Sequence, residues 1–130
     1  MTTQLIIQHI ADKIIQGSVG IFPFETTCGF TGLATEENLK RVTALKQRST
    51  PQACLLVIPS YEWIHELANI QQWQEDILHK YWPGPTTFIL KKQSSVSSTI
   101  TEGKETIALR YPSFKPLDIL LNIVKKPLFS

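Results

Sequence analysis

Apolar residues near the start of the chain recur at Ile6, Ile10 and Ile14, and at Ile7, Ala11 and Ile15. That spacing predicts a helix from about Thr3 to Gln16, with Gly17 as its stop signal. The apolar run Val19 to Phe22 predicts a buried strand whose end is limited by Pro23. Thr35 is placed to cap a second helix, with Glu36 and Glu37 in the first turn, where they complement the helix dipole. Leu39, Val42 and Leu45 supply its inner face, Lys46 and Arg48 fall at its C-terminal end, and Ser49-Thr50-Pro51 breaks the pattern. Cys54 to Ile58 reads as a second buried strand.

A helical stretch begins at Ser60, with Trp63, Ile64 and Leu67 on one side. Another runs from about Gln71 to Tyr81, carries Trp73, Ile77, Leu78 and Tyr81, and stops at the rigid turn Trp82-Pro83-Gly84-Pro85. Thr86 to Leu90 and Thr106 to Arg110 predict two strands that pair across the intervening polar segment. Within that segment, Gln93 to Ser98 reads as a mobile loop. Pro116 to Val124 predicts a short amphipathic helix, with Pro116 near its first turn, and Pro127-Leu128-Phe129 opens one more strand. Strands and helices mix without strict alternation. The predicted class is therefore α/β, a twisted mixed β-sheet with helices packed on it.

With 130 residues, 42% of them hydrophobic, the chain suits a single domain (1–130) with one real core. A net charge of +2 leaves no strong electrostatic footprint for nucleic acid and only permits an RNA partner. The two cysteines, Cys28 and Cys54, form no CxxC pair and fit a reducing cytosol. There is no basic leader and no uninterrupted apolar stretch of bilayer length. The expectation is a soluble cytoplasmic protein with no membrane partner. The chain stops at Ser130, directly after an apolar run, which predicts that part of a larger domain is absent.

The segment Pro23-Phe24-Glu25-Thr26-Thr27-Cys28-Gly29 joins hydroxyl groups to a glycine that allows close backbone approach. It is either a ligand-binding pocket floor or a turn whose threonines satisfy local backbone groups. Lys46 and Arg48 either converge on a phosphate or carboxylate or simply favour a helix C-terminus. Arg110, after Ile107-Ala108-Leu109, is either a site residue or an exit to solvent. His9, His65 and His79 lie far apart in sequence, with no nucleophile or carboxylate at a suggestive spacing. No Walker-type or GxGxxG glycine pattern is present, and no His/Cys cluster has zinc spacing.

In order, these segments resemble the YrdC/YciO-like family, the threonylcarbamoyl-AMP synthases. Pro23 to Gly29 is similar to the family's P-T-D-T-V-Y-G, and Leu45-Lys46-Gln47-Arg48 to its L-K-x-R. Trp82-Pro83-Gly84-Pro85 matches W-P-G-P, and Thr106 to Pro112 matches T-[IV]-A-[VL]-R-x-P. Pro127 to Ser130 is similar to the opening of P-L-[VI]-S-T-S-A-N. Phe24, Glu25 and Cys28 depart from the family's Thr, Asp and Tyr, and the chain ends before T-S-A-N. The resemblance implies a C-terminally shortened YrdC-like fold with a positively lined cleft.

It implies L-threonine, bicarbonate and ATP as substrates, with Mg²⁺, and formation of threonylcarbamoyl-AMP for tRNA threonylcarbamoyladenosine modification with partner proteins. It also implies roles. Lys46 and Arg48 would be catalytic, and Thr26, Thr27, Cys28, Arg110 and Ser130 would bind substrate. Three functions stay open: an active synthase, a double-stranded RNA- or tRNA-binding module of the same fold without adenylation, and a diverged relative that binds a small anion or serves as an interaction protein.

Overall fold

The amphipathic stretch at the start forms helix α1 (Thr3–Ile15) in a computed structural model, which describes residues 2–25, 27–47 and 54–130. Thr2 caps α1 by accepting from the Leu5 N–H at 3.2 Å. Gly17, at φ +102°, ends it, with the Ser18 N–H donating to the Lys13 carbonyl at 3.0 Å. The buried stripe is narrower than the spacing predicts. Ile7, Ala11 and Ile14 are buried, whereas Ile6 and Ile15 are exposed, because one helix, α6 (Lys115–Val124), packs against this helix from one side only.

Strand β1 (Gly20–Pro23) pairs antiparallel with β2 (Cys28–Leu33) to form a hairpin. The sequence predicts neither β2 nor the exposure of β1. Only Phe22 of β1 is buried, since the strand lies at the outer edge of the sheet. Thr35 caps α2 (Glu36–Leu45) as its chemistry predicts, accepting from the Asn38 N–H. The inner face is Leu39 and Val42 with buried Asn38, whose amide donates to the Leu33 carbonyl at 3.0 Å. Leu45, expected inside, is exposed.

The remaining elements are β3 (Leu55–Val57), α3 (Trp63–Leu67), α4 (Gln72–Tyr81), β4 (Phe88–Lys91), α5 (Ser98–Thr101), β5 (Thr106–Arg110), α6 and β6 (Leu128–Phe129). Of the apolar residues expected on α4, Leu78 is buried while Trp73, Ile77 and Tyr81 are exposed. The predicted mobile loop is instead tied down. Val96 is buried, and the Gln93 amide donates to the carbonyls of His65 and Ala68 at 3.3 and 3.1 Å. The Ser97 hydroxyl donates to the Glu36 carboxylate.

The six strands form one mixed sheet in the order β1-β2-β6-β3-β5-β4. Only β3 and β5 run parallel, and β4 pairs antiparallel with β5 as expected. One face packs Leu56, Leu90, Ile107, Leu109 and Phe129 against Leu39, Val42, Ile64, Leu78 and Trp82. On the other face, α1 and α6 bury Phe22, Val57 and Leu128. No residue of β4 or β5 joins that second cluster, and Ile89 of β4 is 72% exposed. Among the described residues, half of the second face is therefore bare. Among the described residues no helix is long and apolar enough to cross a membrane.

The Trp82–Pro85 turn sets where β4 begins. The Trp82 indole N–H donates to the Thr86 carbonyl at 2.7 Å, and the Gly84 N–H to the Tyr111 carbonyl at 2.9 Å. A Cβ on Gly84 would lie 2.7 Å from the Tyr81 carbonyl oxygen. We predict that Gly84→Ala destabilises the protein by about 1–3 kcal/mol, measured by urea denaturation. An unchanged midpoint would mean that the turn has room to relax.

Candidate functional site

Phe24 fixes the hairpin turn. Its side chain is buried in the α1–α6 core, and its N–H donates to the Thr27 carbonyl at 2.8 Å. The next side chain, Glu25, turns toward β5. Its Oε1 lies 4.0 Å from Arg110 Nη1, with the two side chains only 15% and 19% exposed. Oε1 is buried and has no hydrogen-bond partner among the described residues. Arg110 Nε and Nη2 both donate to Thr87 Oγ1, at 3.1 and 2.8 Å.

The strand register makes this meeting informative. Leu33 pairs with Leu128, Leu128 with Val57, and Val57 with Arg110, so these residues lie level across the sheet. Glu25 precedes Cys28, at the opposite end of β2. The hairpin must bend out of the sheet plane for Glu25 to reach Arg110. Alternation along β5 buries Ile107 and Leu109 on the first face and sends Arg110 to the second, beside the bare half.

The other residues singled out by sequence are more dispersed. Thr27 and Cys28 are exposed on the hairpin, and Cys28 is a free thiol. Lys46 is the exposed C-cap of α2, with its ammonium 5.6 Å from the centre of the Phe30 ring on β2. Ser130 is exposed just beyond β6, its N–H donating to the Leu55 carbonyl at 2.8 Å. Thr26, Arg48 and Ser49-Thr50-Pro51 lie outside the described residues. The structure thus joins the hairpin turn to Arg110 through Glu25, and Lys46 to β2 through Phe30. It gives no contact between Lys46 and Arg110.

Sequence reasoning passed over Glu25 and Thr87 as site residues. Glu25 is the only acid in its turn, and Thr87 sits where the register of β4 and β5 continues to a position opposite Arg110. Two of the histidines find partners that are distant in sequence. His65 Nε2 lies 3.3 Å from Glu75 Oε1, which accepts from the Tyr61 hydroxyl at 3.2 Å, and Tyr61 stacks on His79 at 4.2 Å. Burial, then the Glu75 charge, pushes the Tyr61 hydroxyl up to about 12. Among the described residues no three His, Cys, Asp or Glu side chains are grouped to hold a metal.

Residues 12–130 match the family model Sua5_yciO_yrdC, described as telomere recombination. The threonylcarbamoyl-AMP synthase of Pyrococcus abyssi is 32% identical over 124 residues, covering 94% of this chain and 36% of that protein. The threonylcarbamoyl-AMP synthase of Vibrio campbellii is 32% identical over 131 residues, covering 95% of this chain and 69% of that protein. The crystal structure of P. abyssi Sua5 complexed with L-threonine superposes with a TM-score of 0.86 at 31% identity, over 97% of this chain and 38% of that one. E. coli YciO superposes at 0.82 with 20% identity, over 97% of this chain and 62% of that one, a likeness of fold. The chain spans about a third of the archaeal relative's length and about two thirds of the bacterial one's.

The two free thiols report on opposite settings. Burial pushes the Cys54 thiol up to about 11, so at pH 8 its thiolate fraction falls roughly a hundredfold below that of an unperturbed thiol. Cys28 is exposed. We expect iodoacetamide to modify Cys28 first and Cys54 only slowly, as read by mass spectrometry of the native protein. Equal rates would contradict the burial of Cys54.

Proposed function

The chain belongs to the Sua5/YciO/YrdC family, and from this we propose that it is a threonylcarbamoyl-AMP synthase-like protein that binds L-threonine and ATP. What carries the reading is the overlay, across nearly the whole chain, on a relative solved with L-threonine. Bicarbonate would condense with the threonine amine, forming the N–C bond of a carbamate and losing water. A carbamate oxygen would attack the α-phosphate of ATP, releasing pyrophosphate and leaving threonylcarbamoyl-AMP. A partner system would pass the group to an adenosine beside the anticodon of tRNA.

This chain's residues would act mainly by positioning and by charge. Arg110, half-buried and braced by Thr87, suits the substrate carboxylate. Lys46, at the end of α2, and Arg48, two residues later in the sequence, would suit phosphate oxygens and the charge that builds up on them during adenylation. Thr27 and Cys28 would shape the amino-acid end of the site from the hairpin, Thr26 would contribute its hydroxyl to the same end, and Ser130 would approach the nucleotide. Magnesium, when bound, neutralises phosphate charge. It commonly keeps most of its waters and needs only one or two carboxylates, and the acid nearest this site is Glu25.

The test is pyrophosphate release from ATP and bicarbonate with and without L-threonine. We expect threonine-dependent release that Lys46→Ala lowers by roughly a hundredfold or more without loss of the fold. Full activity in that variant would remove Lys46 from the site. If the folded wild type releases none, yet shifts a structured RNA at low salt and loses it at high salt, the RNA-binding reading of the same fold takes over.

A further inference from the structure

A guanidinium group carries five N–H donors on a rigid plane. In Arg110 the edge made by Nε and Nη2 is occupied, because both atoms donate to Thr87 Oγ1. Nη1 faces Glu25 at 4.0 Å, beyond hydrogen-bond reach. Among the described residues, Nη1 makes no hydrogen bond. The end-on edge, Nη1 with the second N–H of Nη2, is therefore the one left to meet a ligand. A hydroxyl oxygen has two acceptor lone pairs and one hydrogen. Two N–H groups of Arg110 converge on Thr87 Oγ1, so the hydroxyl oxygen acts toward the guanidinium as an acceptor.

The placement follows from the sheet. Phe88 pairs with Leu109, and continuing that antiparallel register sets Thr87 directly opposite Arg110 on the bare side. Glu25 Oε1 lies 4.0 Å from Nη1, where its charge favours the guanidinium without a hydrogen bond. We infer that Thr87 is the positioning residue of the site: it fixes the plane of Arg110 so that the end-on fork meets a ligand carboxylate in bidentate fashion. The identity of that carboxylate, L-threonine, rests on the function proposed above, whereas the clamp itself does not.

Two readouts keep the failures apart. Nitrogen-15 NMR of the Arg110 Nε–H reports the clamp without any ligand, and calorimetry with L-threonine reports its use. Wild type and Thr87→Ser should both show a slowly exchanging Nε–H and comparable affinity. Thr87→Val, close in volume but without the hydroxyl, should lose that signal and bind L-threonine roughly tenfold or more weakly, with circular dichroism unchanged. A Thr87→Val protein that keeps the protected Nε–H overturns the clamp. One that loses the signal but binds L-threonine as tightly as wild type overturns the positioning role. If wild type shows the protected Nε–H but no L-threonine binding, the proposed function fails instead, and pyrophosphate becomes the probe. A weaker pyrophosphate affinity in Thr87→Val then supports the clamp as an anion-orienting device, and an equal affinity overturns it.

Discussion

Leu128 and Phe129 tie the two halves of the sheet together. They form a two-residue strand between β2 and β3, and they split their side chains between the faces. Leu128 is buried under α1 and α6, and Phe129 against the α2–α4 side. Buried Thr31 adds its hydroxyl to the Phe129 carbonyl at 2.7 Å. Gly32 is held close, since a Cβ there would come within 3.2 Å of the Phe129 ring. Each face thus closes around a different residue of the same short strand. The β1–β2 hairpin is hydrogen-bonded into the rest of the sheet through this junction, so the geometry of the candidate site depends on it.

The bare half of the second face follows from the same arithmetic of layers. Two helices cover β1, β6 and β3 there and leave β4 and β5 without a lid. A bare sheet face exposes apolar groups such as Ile89, but it also lets one strand end point a cation into open space without burying it completely. Arg110 occupies that position. Its cost of partial desolvation is offset by two hydrogen bonds to a neutral oxygen and by a carboxylate at ion-pair range. A direct salt bridge in its place would consume the edge that a ligand needs.

Much of this was readable where the determinants are local. Gly17 ends α1, and Thr35 with Glu36 and Glu37 starts α2, because caps act within one turn. The pairing of β4 with β5 followed from two apolar runs flanking a polar one. By contrast, β2 was hidden. Gly29 and Gly32 interrupt it, and only Phe30 and Leu33 give it large apolar side chains, so its extended state comes from partners on both sides. Asn38 rather than Leu45 joins the inner face of α2, because the Asn38 amide has the Leu33 carbonyl to bind. Glu25 and Thr87 were passed over as site residues for the same reason. Neither has a local signature, and each acquires its role from Arg110, distant in sequence. The ordered segments did mark the family, since their succession along the chain survives even where single positions vary.

A net charge of +2 gives this protein little long-range pull on anions. Grip on a negative ligand must then come from how a few cations are held rather than from how many there are. Lys46 sits at a helix end above an aromatic ring, exposed and adaptable, which suits a diffuse phosphate charge. Arg110 sits on a strand, oriented by Thr87, which suits a planar carboxylate. Exposed charges lose strength within about 10 Å at ordinary salt, while the half-buried Arg110 is screened less. Such an arrangement would divide labour by burial, with the sheet supplying orientation and the helix end supplying reach.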